Sequence, residues 1–231
     1  MAEQHTMKVI ARIHSDFPTK FGIPRQSGLV EALRAMVVFE PEYRNPDALR
    51  GLEGFSHIWL IWQFSGAVRE DWSPTVRPPR LGGNVRMGVF ATRSPFRPNP
   101  IGLSSVRLEA VEHHPQYGPV LIVAGADLMD GSPIYDIKPY LPYGDCHPEA
   151  SGGFASAPKE PTLQVECSPA LLEQVPERLR EALLGVLAQD PRPQYQRSPD
   201  RVYGLSFGGL EVKFTVEGER LTVREILEGQ T

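Results

Sequence analysis

The sequence predicts a mainly β protein, with a closed antiparallel β-barrel core and a small C-terminal α+β subdomain. Short apolar runs rich in β-branched and aromatic residues recur through the first 128 residues, separated by clusters of Gly, Pro and Asn. Strands divided by such turn formers are typical of all-β domains, and a closed barrel also removes exposed sheet edges. There is no βαβ alternation, G-x-G-x-x-G motif or P-loop, which argues against a Rossmann-type fold.

Composition narrows the class of protein. The chain has 231 residues, 41% of them hydrophobic, which suits one large domain or a medium domain with a small one. It shows no signal peptide and no run of about 18 apolar residues, so we expect a soluble, cytoplasmic protein without membrane association. Cys146 and Cys167 are too few for a disulfide framework or a zinc site, and we expect no metal.

Six apolar runs predict the strands of a first domain, residues 1–145. Each run mixes β-branched and aromatic residues and lies between turn formers, as strands do. The runs are "KVIARIH" (8–14), "AMVVFE" (35–40), "HIWLIWQF" (57–64), "MGVFAT" (87–92), "VRLEAV" (106–111) and "PVLIVAGADL" (119–128).

Composition changes after this domain. Residues 146–161 are rich in Gly, Ala, Ser and Pro and predict a linker or mobile loop. Residues 162–231 are the predicted subdomain, which begins with a strand in "TLQVECS" (162–168) and ends with a hairpin in 210–226 around Glu217-Gly218.

A helical pattern lies between that strand and the hairpin. Leu and Val recur at helical spacing through residues 168–190. Ser168 followed by Pro169 is a typical helix start, with the serine as N-cap and the proline in the first turn. Pro176 is expected to divide the pattern into two helices.

Arginines are concentrated in one segment of an acidic chain. Between Trp72 and Leu108 there are six arginines and no Asp, Glu or Lys, so this segment carries +6 and the remainder −10 of a net charge of −4. Such a segment predicts an anion-binding surface. The alternative is a chance run on a solvated face. Within it, "RPPRLGG" (77–83) predicts a stiff turn suited to a phosphate backbone.

The stretch "RSPFRPNP" (93–100) predicts a second rigid feature. Its three prolines exclude a helix interior or a central strand, so the chain is a stiff extended loop that presents Arg93 and Arg97. In "FGIPRQSG" (21–28), Arg25 and Gln26 follow a proline and could bind a carboxylate. An ordinary surface turn is the alternative.

The segment "DLMDGSPIYDIKPYLPYGD" (127–145) contains the predicted catalytic group. In extended geometry Asp136, Lys138 and Tyr140 point to one side, which places an acid, a base and a phenol on one surface. A structural ion pair between the first two is the alternative. His57 is predicted to be a buried core histidine, and Phe64, at the end of the same run, could stack on a flat ligand.

At these residues the sequence resembles a known family. "IPRQSG", "FSHIW", "RPPRLGG", "MGVFATRSPFRPNPIGLS", "DGSP" and "DIKPYLPY" resemble, in order and spacing, the TsaA-like family, also called YaeB or TrmO-type. "LAQDPRPQY" (187–195) is similar to an extension in its bacterial members. The resemblance implies a homodimeric β-barrel that uses S-adenosylmethionine to methylate N6 of threonylcarbamoyl-adenosine, beside the anticodon of a threonine tRNA.

The resemblance also implies site residues. The cofactor would be bound by Pro24, Arg25, Gln26, Phe64, Ser65, Arg93, Leu103, Asp127, Leu128, Met129, Asp130, Gly131 and Ser132. The RNA would contact Arg77, Arg80, Arg86, Arg97 and Arg192. Many relatives have His in place of Ser65 and Phe96 and Thr in place of Ser132, so any contact made by either histidine is missing here.

The implied substrate suggests a role for each predicted catalytic residue. Its target nitrogen belongs to a urea-like group, so the nitrogen is a poor nucleophile and must lose a proton. Asp136 is the expected proton acceptor, with Lys138 and Tyr140 orienting it and the substrate. Two other functions remain open: a non-enzymatic barrel that binds a nucleotide or RNA, and a hydrolase, although no G-x-S-x-G nucleophile or metal-ligand set is present.

Overall fold

The computed structural model describes residues 3–69, 71–156, 163–192 and 201–229. The strands are β1 (Ala11–His14), β2 (Arg34–Phe39), β3 (His57–Gln63), β4 (Thr75–Val76), β5 (Met87–Gly88), β6 (Ile101–His114), β7 (Gly118–Ala124), β8 (Pro133–Pro139), β9 (Gln164–Glu166), β10 (Tyr203–Phe207), β11 (Leu210–Glu217) and β12 (Arg220–Glu228). The α-helices are α1 (Pro142–Asp145), α2 (Pro169–Leu172) and α3 (Glu177–Ala188). The fold is mainly β, as the sequence predicts.

Six strands pair antiparallel in a ring. Their order is β1-β2-β7-β6-β3-β8, and β1 pairs with β8 as well as with β2. The β1–β8 contact is short, with Ala11 opposite Ile134 and Arg12 opposite Pro133. β3 lies between β6 and β8 and pairs with both along its length. This central position makes β3 the reference strand for the candidate site.

Alternation along the ring strands separates a core from an outer face. On β3, Ile58, Leu60 and Trp62 are buried and belong to the core of the ring. The intervening residues of β3 are partly or fully exposed, because successive side chains of a strand point to opposite sides. β6 alternates in the same way, with Leu103 on the outer face and 55% exposed.

A second sheet forms a separate core with α3. Its order is β10-β11-β12-β9, with β9 parallel to β12, and the buried side chains of α3 pack with those of the sheet. Phe17, Val30 and Leu33, which precede β2, are buried in this second core. The Phe17 and Phe207 rings meet edge to face with centroids 5.3 Å apart. The segment between β1 and β2 therefore connects the two sheets by packing.

Local predictions for the C-terminal part are confirmed. α2 begins at Pro169 after Ser168, whose hydroxyl accepts a hydrogen bond from the Leu171 amide. Pro176 separates α2 from α3. β11 and β12 form the predicted hairpin, in which Gly218 has a positive φ of 57° that suits glycine.

Three predictions for the first part are wrong in detail. "MGVFAT" is mostly not a strand: only Met87–Gly88 pairs, and a 3-10 turn occupies Val89–Ala91. β6 begins at Ile101, directly after the proline loop, because residues 101–105 alternate between the two faces and pair with β3. His57 is exposed, not buried, since it lies on the outward side of β3.

The predicted domain boundaries at 145 and 162 stay predictions. Of the predicted linker, residues 146–156 have little regular structure, with one 3-10 turn at Gly153–Ala155. The rest, 157–161, lies outside the described residues. Among the helices described, none is long and apolar enough to cross a membrane.

Candidate cofactor and catalytic site

Three separate loops meet at one end of the ring. The Arg93 guanidinium in the proline loop donates a hydrogen bond to the Gln26 side-chain oxygen. The same guanidinium acts electrostatically on Asp127, which follows β7, and the Ser27 amide donates to that carboxylate. The structure thus brings together residues that the sequence places about 30 to 100 positions apart. They include three of the predicted cofactor residues.

Asp127 is the half-buried acid of this group. Burial raises the pKa of its carboxyl above the ordinary value of 3.8, while the Ser104 hydroxyl, backbone amides and Arg93 act in the opposite direction. The Ser104 hydroxyl donates to it over 2.6 Å. A carboxylate that is partly desolvated is stabilised by any cation that binds beside it. Asp127 is therefore suited to a ligand that carries positive charge.

The buried Trp62 is connected to Asp127 through the Ser104 hydroxyl. The Trp62 indole N–H donates to the Ser104 hydroxyl over 3.0 Å, which orients that hydroxyl toward Asp127. The indole lies against Gly102, where a Cβ would collide with the ring. Phe64 packs on Trp62 with ring centroids 4.2 Å apart. The predicted cofactor residues Phe64 and Asp127 are thus connected through one tryptophan.

The turn after Asp127 is tied to the end of β1. The Asp130 carboxylate accepts from the Ser15 amide over 3.0 Å, and the Gly131 amide donates to the Ile13 carbonyl over 2.8 Å. The Ser132 hydroxyl donates to the Met129 carbonyl over 2.7 Å. These bonds fix the backbone of the turn. Its polar groups are held in place before any ligand arrives.

The other predicted cofactor residues differ in how exposed they are to a ligand. Leu128 is fully buried in the core, so any contact with a ligand would come from its backbone. Pro24 is buried, whereas Arg25 and Ser65 are exposed on the surface. The Arg25 carbonyl accepts from the Gln26 side chain. All thirteen assignments stay predictions.

The predicted catalytic residues lie on the outer face of the ring, beside one predicted cofactor residue. On β3, Ile61 pairs with Leu103 of β6 on one side and with Asp136 of β8 on the other. Two strand spacings separate Leu103 from Asp136 by about 10 Å. Lys138 pairs with Trp59 on the same face, as the two-residue spacing predicts.

Asp136 and Lys138 form the ion pair that the sequence allows. Lys138 Nζ lies 3.0 Å from Asp136 Oδ2, with the two side chains 62% and 44% exposed. Exposed pairs of this kind contribute only about 0–1 kcal/mol to stability. The pair can therefore be broken without unfolding the chain, and its role can be tested separately.

Tyr140 is a hydrogen-bond donor and not a base. Burial, followed by the nearby Cys146 and Asp145, raises the pKa of its phenol above 10.0. Its ring contacts His57 and Trp59, with centroids 6.2 and 5.5 Å away. At neutral pH the phenol is protonated, which leaves Asp136 as the acid–base candidate among the three predicted residues.

An open cavity of about 460 Å³ adjoins this face. One wall is the loop after Gln26, and the other is the outer face of β3 and β6. The lining includes Ser27, Gly28, Glu31, His57, Ser105 and Arg107. None of these residues is among the predicted site residues.

Sequence reasoning missed several residues of the site. Ser104 carries a visible signal, since it is a hydroxyl at a buried position of an alternating strand. Ser27 acts through its backbone, which no side-chain pattern shows. Asp145 anchors the loop after β8 by accepting from the Trp59 indole over 2.9 Å and from the Leu141 amide over 2.8 Å. Those contacts lower the pKa of its carboxyl.

The predicted RNA-binding arginines differ in how they are held. Arg77 and Arg80 are exposed, and Arg86 donates to the Thr75 hydroxyl over 3.0 Å. Arg97 is half-buried and donates to the Thr92 carbonyl of its own loop over 3.0 Å, so part of its guanidinium holds that loop.

Arg192 has a different environment from the other four. It binds both oxygens of Asp190, at 2.7 and 3.0 Å, with its side chain only 9% exposed. This pairing favours a structural role near the end of α3. Its predicted contact with RNA has no support in this geometry and stays a prediction.

Comparison with known proteins gives a consistent relationship. The family model for the tRNA-methyltransferase O N-terminal domain matches residues 12–146, and that for the TrmO C-terminal domain matches residues 160–229. The tRNA (adenine(37)-N6)-methyltransferase of Escherichia coli (strain K12) is 44% identical over 215 residues, covering 90% of this chain and 91% of that protein.

A second relative and a solved structure agree with this match. A Pseudomonas aeruginosa protein whose name includes S-adenosylmethionine-dependent methyltransferase is 44% identical over 216 residues, covering 90% of this chain and 91% of its own length. The crystal structure of TrmO from Pseudomonas aeruginosa has a TM-score of 0.80 at 36% identity and covers 97% of this chain and 99% of that one. The chain therefore belongs to the tRNA-methyltransferase O (TrmO) family.

Proposed function

We propose that this protein is an S-adenosylmethionine-dependent tRNA methyltransferase that methylates N6 of adenine 37. We further propose that the adenine is threonylcarbamoyl-adenosine beside the anticodon of threonine tRNA. The observation that carries the proposal is the meeting of Gln26, Arg93 and Asp127 next to the face that holds Asp136 and Lys138. Gln26, Arg93 and Asp127 suit a charged cofactor, whereas Asp136 and Lys138 suit proton transfer.

The polar groups present fit S-adenosylmethionine. This cofactor carries a carboxylate, an ammonium, a sulfonium, ribose hydroxyls and an adenine. Arg93 would bind the carboxylate, for which a guanidinium is well matched in shape and charge. Asp127 and Asp130 would accept from the ammonium or the hydroxyls, and Phe64 would pack on the flat adenine. Both signs of charge are thus present, as the ligand requires.

When bound, S-adenosylmethionine would supply the methyl group, and the electron pair of the methyl–sulfur bond would stay on sulfur. N6 would form the new bond to the methyl group and give up a proton. Asp136 would take that proton on the carboxylate oxygen that now faces Lys138. Lys138, which lies 3.0 Å from that oxygen, would orient the carboxylate, and Tyr140 would donate a hydrogen bond to orient the acceptor. Holding the reacting atoms in line would supply much of the rate.

We also propose that the enzyme acts as a homodimer in the cytoplasm and that its six-stranded ring is a closed barrel. Several large apolar side chains are exposed between residues 68 and 103, and exposed apolar surface is typical of protein–protein interfaces where such side chains cluster. They are Val68, Trp72, Val85, Phe90, Phe96, Ile101 and Leu103. Light scattering on the purified protein tests the dimer, and a monomer at all concentrations would refute it.

Transfer of a labelled methyl group tests the proposed function. The protein is incubated with labelled S-adenosylmethionine and bulk tRNA from cells able or unable to make threonylcarbamoyl-adenosine. We expect label in the first tRNA only. Label in neither would favour the non-enzymatic RNA-binding alternative, and label in both would remove the modified adenosine as the substrate.

Asp136→Asn tests the proton-transfer role. The amide keeps the size of the side chain but cannot accept the proton, so the single-turnover rate should collapse at saturating cofactor and tRNA while both still bind. Glu225→Gln is a matched control, because Glu225 forms a comparable exposed pair with Lys213 at 2.7 Å on the second sheet. A wild-type rate for Asp136→Asn would leave orientation alone as the role of that residue.

A further inference from the structure

The cavity begins where the predicted cofactor residues end. In the first loop, Ser27 and Gly28 of the cavity wall directly follow Gln26. On the outer face of β6, Ser105 of the wall lies two residues beyond Leu103. Two residues along a strand span about 7 Å. The cavity therefore adjoins predicted cofactor residues on two sides.

The cavity contains both a positive and a negative side chain. Arg107 lines it from β6 and Glu31 from the loop after β1. One Arg107 nitrogen binds Glu109 over 2.7 Å, and a guanidinium has four further N–H donors. Glu109 also binds Arg34 over 2.5 Å, so its negative charge is shared between two arginines. The wall thus offers a donor for an anion and an acceptor for N–H or O–H groups.

The His57 ring forms the part of the cavity wall that is nearest to Tyr140. His57 lines the cavity and contacts the Tyr140 ring, with centroids 6.2 Å apart. Tyr140 is two residues from Lys138 on the same strand face. A base seated against His57 would therefore lie beside Tyr140, with Lys138 and Asp136 further along the same strand.

We propose that this cavity is the acceptor subsite and that it reads a carboxylate-bearing substituent on N6 of the target adenine. Arg107 donates to the carboxylate, and Glu31 accepts from N–H or O–H groups of the same substituent. The inference rests on the proposed function and assigns its substrate preference to these two residues. A phosphate group of the RNA backbone is a poorer match, because it carries no N–H or O–H donor for Glu31.

Arg107→Gln tests this assignment, with Arg34→Gln as its control. Both arginines bind Glu109 and they are equally exposed, 46% and 45%, but only Arg107 lines the cavity. The readout is binding of tRNA from cells able or unable to make threonylcarbamoyl-adenosine, with cofactor affinity and melting temperature measured in parallel. Arg107→Lys keeps the charge and serves if the glutamine variant fails to fold.

We expect wild type and Arg34→Gln to bind the modified tRNA at least about tenfold more tightly than the unmodified tRNA. Arg107→Gln should lose that preference at unchanged cofactor affinity, and Arg107→Lys should keep part of it. An equal loss for both tRNAs would mean that Arg107 contacts a phosphate. An equal loss in Arg34→Gln would mean a structural effect through Glu109 or through the Glu31 carbonyl, to which Arg34 also donates. Either outcome overturns the subsite while methyl transfer by wild type still supports the proposed function.

Discussion

Replacing Arg93 by Ala removes a cation that the structure places beside both Gln26 and Asp127. The arginine is exposed on a proline-rich loop, so its loss leaves no cavity in the core. Exposed positions of this kind usually change stability by no more than about 0.5 kcal/mol. The fold should therefore survive, and the change should be seen in ligand binding.

The expected loss of cofactor affinity follows from the bond that Arg93 would make. A hydrogen bond from a guanidinium to a carboxylate is worth roughly 1.5–3 kcal/mol. At about 1.4 kcal/mol for each factor of ten, S-adenosylmethionine should bind about 10- to 150-fold more weakly. Loss of the nearby positive charge should also raise the pKa of Asp127 further, because Arg93 is one of the groups that lower it.

Isothermal titration calorimetry of S-adenosylmethionine measures this loss, alongside a thermal melt. Arg86→Ala is the matched control: it removes an exposed arginine of the same segment that donates to the Thr75 hydroxyl and is not one of the predicted cofactor residues. The control should bind the cofactor as wild type does. If Arg93→Ala keeps full affinity and only melts earlier, the guanidinium holds its loop together and the cofactor assignment at this residue is wrong.

Two further predictions concern the half-buried acid Asp127 and the arginines predicted to bind RNA. Because burial raises the pKa of Asp127, the contribution of this residue to stability is present below about pH 3.8 and is lost as pH rises through the folded-state pKa. Asp127→Asn should abolish that part of the decline in melting temperature with pH and should weaken cofactor binding. A pH profile of melting temperature unchanged from wild type would contradict the burial argument. Arg77→Ala with Arg80→Ala should weaken cognate and non-cognate tRNA equally, with the slope of log K against log salt reduced by about 0.7–0.9 for each phosphate that is no longer neutralised. Parallel salt plots for this double variant and wild type would show that neither arginine binds phosphate.

Local chemistry predicts much of this fold. Ser168, Pro169 and Pro176 act through bonds to near neighbours, so the bounds of α2 and α3 follow from a few residues. Strand ends are harder, because pairing with a distant strand can extend or shorten them. β6 begins just after Pro100 since its first residues pair with β3, whereas "MGVFAT" has a strand-like composition and only a two-residue partner.

The site is less predictable, because its parts act through different chemistry. Arg93 and Gln26 stand out as polar residues among prolines, and their hydrogen bond confirms that the two loops meet. Ser27 contributes an amide, which nearly every residue has, and His57 is predicted to be buried because its neighbours along the chain are apolar. Which residues face the cavity depends on the register between β3 and β6, and no single strand carries that information.

The exposure of Asp136 depends on the register of its strand. Ile134 and Asp136 are two residues apart, so in a regular strand they would face the same side. The pairing with β3 shifts between Ile61 and Trp62, so that Asp136 lies opposite the first and Ile134 opposite the second. Ile134 is consequently buried in the core, while the Asp136 side chain is 44% exposed on the outer face.

The bulge leaves Tyr135 without a pairing position on β3. As a result, one short strand places Ile134 in the core and Asp136 in the candidate active site. Restoring regular pairing would turn either Ile134 out of the core or Asp136 into it. The first loses a buried apolar side chain, and the second buries a carboxylate away from Lys138. Because both alternatives are costly, the bulge fixes Asp136 in the row of outward residues that also holds Ile61 and Leu103, and so beside the loops that would bind the methyl donor.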